Sequence, residues 1–195
     1  FRSIEDGGQC VSEIIASGII PSGMEMMDKA LIHATDNFVK AGYPRDAESM
    51  LIVELDGIAT EVEELIKKVS KIAKKNKSSS IKISKNEKQR LKFWAGRKAA
   101  FPACGDMAPD YYCMDGTIPR RKLAEVLKEI GRLSKKYNLP VANAFHAGDG
   151  NLHPLIMYDA NEKNSLEKAE KFGAEILKYC VKIGGVLTGE HGVGV

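Results

Sequence analysis

The chain has 195 residues and only four cysteines, and no two of them stand in a C-x-x-C pair. That lack excludes a zinc ribbon and a thioredoxin motif. Cys10, Cys104, Cys113 and Cys180 are scattered, which suits reduced thiols better than a disulfide frame and points to a cytoplasmic setting, at most peripheral to a membrane. No apolar run approaches the roughly 18 residues of a membrane span, so no transmembrane segment is expected. An excess of one charge is missing too: 29 Lys+Arg face 26 Asp+Glu, and a net +3 is too small to imply a nucleic-acid partner. Aromatic residues are few, at 7%, and none interleaves with the lysines of segment 67–92. That segment holds eleven basic residues against one acid, Glu87. Without aromatics it offers no stacking platform for single strands, and it reads as a solvated helix face. Weak attraction to an anionic membrane surface or an acidic partner is the remaining use for it.

What is present is histidine in glycine-rich company. Three of the four histidines lie in His146-Ala-Gly-Asp-Gly-Asn-Leu-His153 and Gly189-Glu190-His191-Gly192. Val141–Phe145 and Leu152–Met157 are apolar runs, and Asp149-Gly150 between them is a two-residue hairpin signal of type I′. In that register cross-strand partners have numbers summing to 299, so His146 and His153 would face each other. Their Cβ atoms would then be about 5 Å apart. Two such imidazoles suit one divalent ion, with Glu190 as a third ligand and an open position for substrate. Two imidazoles and a carboxylate would accept Zn, Mn, Fe or Co. The alternative is a pair of histidines packed beside a turn; two in register, with a Glu-His dipeptide between glycines, favour the site. Asp149 and Asn151 read as turn formers, and His33 as part of an ordinary helical pattern.

Helical period runs through 4–16, 60–75, 119–137 and 162–183, and a further helix is expected from about Gly23 to Val39. Asp159-x-x-Glu162 reads as a capping box opening the last helix, and Gly184-Gly185 ends it. Strands are expected at 49–55, 80–84, 109–114, 140–147 and 152–158. This order gives two β-α-β units, 49–84 and 109–147. The expected fold is α+β, with ferredoxin-like split β-α-β units on one antiparallel sheet and helices on one face. No internal linker is evident, so residues 1–195 are read as one domain.

Together with Ile20-Pro21, Glu25-Met-Met-Asp28, Trp94-x-x-Arg97-x-x-x-x-Pro102, Tyr111-Tyr-Cys-Met-Asp115 and Pro119-Arg120, the two glycine motifs resemble the C-terminal domain of FAD-linked 2-hydroxyacid oxidases. That family includes the glycolate oxidase flavin subunit and D-lactate dehydrogenases. The resemblance covers essentially the whole chain. It implies a substrate- and metal-binding cap domain, whose own N-terminal domain binds FAD and lies outside this chain. The chain opens on Phe1 and stops just beyond the second motif, and is therefore expected to be a fragment, inactive alone. The resemblance implies oxidation of a small 2-hydroxy acid by hydride transfer to flavin, with room for an accessory electron-transfer subunit. By position, His146, His153 and Glu190 match the family's divalent-metal ligands. His191 matches the group that takes the hydroxyl proton, against a fourth ligand or a structural hydrogen bond, and Arg97 matches the clamp on the substrate carboxylate. Where the 2-hydroxyglutarate branch places polar groups, this chain has Phe101, Cys113 and Leu155, so a monocarboxylate such as glycolate or D-lactate fits better.

Two readings of other classes compete. A free-standing metal-dependent hydrolase would use His146, His153 and Glu190 to activate water. A structural or interaction module would use the glycine motifs only as tight turns, which leaves the register of the two histidines without a reason.

Overall fold

The computed structural model describes residues 1–192. The first helix, α1 (Ile4–Ala16), is capped by Ser3, whose hydroxyl accepts the Asp6 amide, and it buries Cys10, Val11 and Ile14. Strand β1 (Gly23–Asp28) leads directly into α2 (Lys29–Val39), with the Asp28 carboxylate accepting the Leu31 amide as its cap. The remaining elements are β2 (Ser49–Glu54), α3 (Ala59–Lys75), α4 (Glu87–Lys98), α5 (Ala100–Ala103), β3 (Asp110–Cys113), β4 (Gly116–Thr117), α6 (Leu123–Tyr137), β5 (Val141–His146), β6 (Asn151–Tyr158) and α7 (Ser165–Lys182).

The strands form one antiparallel sheet in the order β2-β1-β5-β6-β3, with β4 also paired to β6. β3, α6 and β5 make a split β-α-β unit with β6 between its strands, as expected. Met24, Met26, Phe145, Leu152 and Ile156 face a core closed by α1, α6 and α7. Alternate residues point the other way: Met27, Ala144, Leu155 and Met157 pack with Leu31 and Ile32 of α2 and Ala100 of α5. The expectation placed helices on one face only. Because both faces of the central strands are apolar, a second, smaller helix layer covers the other face.

Three further expectations are corrected. Gly23–Asp28 is a strand and not the first turns of a helix: it is paired on both sides by β2 and β5, and the helix begins only after the Asp28 cap. Residues 80–84 form no strand, because their polar–apolar alternation finds no partner to pair with, and the first β-α-β unit therefore does not close. The last helix starts at Ser165, since Asp159 caps a preceding turn through the Asn161 amide, and the Ser165 hydroxyl bonds back to the Asp159 carbonyl. The basic segment is a solvated face, tied down by ion pairs to Glu64, Glu13, Asp6 and Glu54. Among the described residues, no helix is long and apolar enough to cross a membrane.

Candidate metal centre

The β5–β6 hairpin turns through four residues, Ala147–Gly150, and not through Asp149-Gly150 alone. The Asp149 and Gly150 amides both donate to the His146 carbonyl, at 3.0 Å each. Neighbours pin this turn: the Gly148 amide donates to Met24, Ile118 donates to the Gly150 carbonyl, and Arg120 donates to the Gly148 carbonyl. Gly150 has φ +80°, and a Cβ there would lie 2.2 Å from the Ile118 oxygen. The register is therefore shifted by two residues from the expected one. His146 pairs with Asn151, and His153 pairs with Ala144. An even shift leaves every side chain on its face, so the two imidazoles still meet, diagonally, with centroids 5.1 Å apart and planes at 90°.

The chain after α7 returns beside β4, where Thr117 and Val186 exchange backbone hydrogen bonds. This return carries Gly189-Glu190-His191-Gly192 over the hairpin. One oxygen of Glu190, Oε1, stands 3.1 Å from His146 Nε2 and 2.7 Å from His153 Nε2. The His191 ring stacks on His153, with centroids 4.8 Å apart and planes within 12°. His153 is buried, whereas Glu190 and His191 are about half exposed and form the mouth. All four residues named from the sequence around the motifs are thus brought together.

Arg97 joins them from α4, through a residue whose role the sequence did not disclose. Glu25, on β1, accepts from Arg97 Nε at 2.7 Å with one oxygen and meets His146 Nδ1 at 2.8 Å with the other. Both members of the Arg97–Glu25 pair are buried. Among the described residues, the terminal guanidinium nitrogens of Arg97 have no hydrogen-bond partner. Asp115, between β3 and β4, is the second residue missed. Its Oδ2 accepts from the Thr188 hydroxyl and from the Gly189, Glu190 and His191 amides, at 2.7–3.0 Å. Asn151, read from the sequence as a turn former, is instead the first residue of β6, buried opposite His146 and directly under Gly189. A charged residue inside the Met-rich run Met24-Glu25-Met26-Met27 was the available signal for Glu25, but reading that run as helix hid its face. Asp115 had no signal beyond its place in the Tyr-Tyr-Cys-Met-Asp motif. His33, as expected, lies away from the site and bonds to the Arg45 carbonyl.

The electrostatics follow from these contacts. The hydrogen bond to Glu25 is the foremost cause that raises the His146 pKa, while burial lowers that of His153. Burial pushes the Glu190 carboxyl up, but the His153 hydrogen bond and the surrounding imidazoles outweigh it and hold it below the ordinary range. For Asp115, burial is likewise outweighed, by the Thr188 hydroxyl and three amides, and its pKa falls to about 2.

The donor set fits a divalent cation. Ligand atoms of His146, His153 and Glu190 all lie within 4.8 Å of one another. Glu25 on Nδ1 favours the tautomer that leaves the His146 Nε2 lone pair for a metal, the usual arrangement of a carboxylate behind a ligating imidazole. Phe101 stands beside His153, with ring centroids 6.4 Å apart, and Tyr111 packs in turn on Phe101 at 6.2 Å. Leu155 and Cys113 are cross-strand partners on β6 and β3.

Comparison with known proteins gives a consistent result. The family model described as FAD linked oxidases, C-terminal domain, matches residues 1–195. The glycolate oxidase subunit GlcD of Escherichia coli (strain K12) is 54% identical over 194 residues, covering 100% of this chain and 39% of that protein. The GlcD subunit of Bacillus subtilis (strain 168) is 34% identical, with 100% and 41% covered. The chain therefore spans about two-fifths of the length of these relatives. Among solved structures, 4-ethylphenol oxidase from Gulosibacter chungangensis superposes with a TM-score of 0.68 at 10% identity, over 96% of this chain and 44% of that one, which shows the shared fold.

Proposed function

The chain belongs to the family of FAD linked oxidases, C-terminal domain, and we propose that residues 1–195 are the substrate- and metal-binding cap of an FAD-dependent oxidoreductase. Its substrate is a small 2-hydroxy acid, glycolate or D-lactate, which is oxidised to the 2-oxo acid. The observation that carries this reading is the convergence of two imidazole Nε2 atoms on one Glu190 oxygen, with an arginine buried behind and a free imidazole at the mouth. When bound, FAD supplies the acceptor for the hydride leaving the α-carbon, and a divalent cation on these donors makes the α-hydroxyl a stronger acid.

The residues of the chain divide the remaining work. Arg97 is locked along its Nε edge by Glu25, which leaves its terminal nitrogens to hold and orient a carboxylate as a preset fork. His191 is the imidazole not directed at the shared Glu190 oxygen by a hydrogen bond, and it takes the hydroxyl proton. Phe101, Leu155 and Cys113 offer no charged partner for a second carboxylate, whose burial there would be costly. That restricts the substrate to monocarboxylates, and the name of the Escherichia coli relative favours glycolate among them. The FAD is held by the protein's own N-terminal domain, and an accessory electron-transfer subunit completes the path from flavin. Family membership favours this reading over a free-standing metal-dependent hydrolase. The four free thiols suit a cytoplasmic setting.

The test uses the full-length flavoprotein under anaerobic conditions. Glycolate or D-lactate should bleach the flavin absorbance, and a chelator should abolish the bleaching. His153→Ala should bind flavin, lose the metal and fail to turn over. Turnover retained in this variant removes the ligand assignment, and a flavin unreduced by either acid removes the substrate.

A further inference from the structure

Asp115 lies beneath the centre and accepts hydrogen bonds from four groups of the segment that carries Glu190 and His191. We propose that Asp115 is a positioning residue of the metal centre: one carboxylate oxygen holds the segment bearing Glu190 and His191, and the other orients His153. The inference rests on the metal-site reading above and extends it to a residue without ligand geometry of its own.

The first half follows from the hydrogen bonds. Segment 188–191 has no regular secondary structure, so nothing periodic fixes its backbone. Four donors of this segment converge on Asp115 Oδ2: the Thr188 hydroxyl at 2.7 Å and the amides of Gly189, Glu190 and His191 at 3.0, 3.0 and 2.7 Å. Three successive amides aimed at one anionic oxygen set the direction in which the Glu190 and His191 side chains leave the backbone. Packing agrees, because Gly189 sits so close to Asn151 and Thr117 that a Cβ would come within 2.5 Å of both.

The second half rests on two orphaned atoms. Asp115 Oδ1 and His153 Nδ1 are each buried and without a hydrogen-bond partner, and they stand 4.0 Å apart. A shift of roughly 1 Å would bring them to hydrogen-bond distance and satisfy both. An Nδ1–H donated to Asp115 leaves the His153 Nε2 lone pair directed at the cation position, where Nε2 already points toward Glu190. Each ligating imidazole then has its own carboxylate: Glu25 behind His146 and Asp115 behind His153. A carboxylate that served only to cap a turn would not need its second oxygen buried against an unpartnered imidazole.

The experiment compares full-length wild-type enzyme, Asp115→Asn and Thr188→Val. Zn²⁺ affinity is measured by competition with a chelating dye, and amide hydrogen exchange is followed over residues 186–192 in the metal-free proteins. Asp115→Asn should weaken Zn²⁺ binding about 10–100-fold, as loss of an outer carboxylate does at other centres, and exchange over the segment should quicken. Thr188→Val removes one of the four donors and should show both effects in smaller measure, and it decides the matter if Asp115→Asn does not fold. Wild-type affinity in both variants overturns the inference while leaving the metal site standing. Faster exchange with unchanged affinity also overturns it, because Asp115 would then be only an anchor for the chain. A wild-type enzyme that binds no Zn²⁺ overturns the metal-site reading itself.

Discussion

Glu25 links the two halves of the site, since one oxygen receives the Arg97 Nε–H and the other meets His146 Nδ1. The Arg97 Nε–H can only donate, and a carboxylate favours the His146 tautomer that carries its proton on Nδ1. A carboxylate therefore suits both partners better than a carboxamide. In Glu25→Gln the amide oxygen can serve one partner, but the NH₂ must face the other. The variant should lose on the order of 3 kcal/mol of stability, within the range seen when one partner of a buried pair is removed. It should also lower the His146 pKa, because the hydrogen bond that chiefly raises it is gone. Denaturant unfolding reads the first effect, and a histidine titration by NMR reads the second. An unperturbed His146 would show that Glu25 does not set the proton affinity of that imidazole. The same residue shows what the sequence could and could not disclose. His146, His153 and Glu190 were legible because register and donor chemistry single them out, whereas Arg97 and His191 were named only through the family resemblance. Glu25 and Asp115 were not, because a residue that acts by holding another has no spacing of its own and becomes visible only when the chain is folded.

At the scale of elements, β1 carries a second buried carboxylate whose energetics can be isolated. Asp28 caps α2 and accepts from Asn143 Nδ2 at 2.7 Å. Burial is the dominant influence and lifts its pKa from 3.8 to about 6, against the bonds from Leu31 and Asn143. Between these two values the folded protein keeps a proton that the unfolded chain has released. Stability therefore falls as pH rises through that window, by on the order of 3 kcal/mol, with the loss absent below it and complete above it. Asn is as good a cap as Asp, so Asp28→Asn should gain on the wild type as pH rises from 4 to 7 and then run level. Denaturant unfolding at several pH values measures this, and a pH-independent difference would show that the carboxylate's hydrogen bonds offset its burial. Helices α1, α3, α6 and α7 were legible by period, and α6 buries Leu123, Val126, Leu127, Ile130 and Leu133, the spacing read from the sequence; α4 and α5 were not. β1 was not, because Met24, Met26 and Met27 follow no strict alternation and methionine favours helices. Residues 80–84 failed in the opposite sense, for alternation alone cannot make a strand without a partner. The hairpin register lay between the two: the histidines were correctly placed on one face, but the turn length is set by contacts to Met24, Ile118 and Arg120, which lie far away in sequence.

For the molecule as a whole, the sheet separates two cores, and the cysteines report on each. Cys10 and Cys180 lie in the core beneath α1, α6 and α7, and Cys104 lies in the one beneath α2 and α5. Burial raises their pKa values, to about 12 for Cys10 and about 11 for the other two. Cys113 is half-buried, raised to about 12 chiefly by burial, and close enough to His153 and His191 that their donor atoms fall within 4.8 Å. Thiolate is the reactive form, so every thiol should alkylate slowly near neutral pH, and exposure then decides the order. Iodoacetamide followed by mass spectrometry should find Cys113 modified first in the native enzyme, and all four cysteines modified in denaturant. Zn²⁺ or a bound hydroxy acid should slow Cys113 further without changing the other three, because the site closes over one thiol while the cores depend on the sheet. The comparison thus separates two events that a melting curve merges: Cys113 follows occupancy of the centre, and Cys10, Cys104 and Cys180 follow opening of the fold. If Cys104 reacted as fast as Cys113, the smaller layer of α2 and α5 would open independently of the sheet. The face that carries Glu25, His146 and His153 would then be held by its polar network, without the support of a closed apolar core.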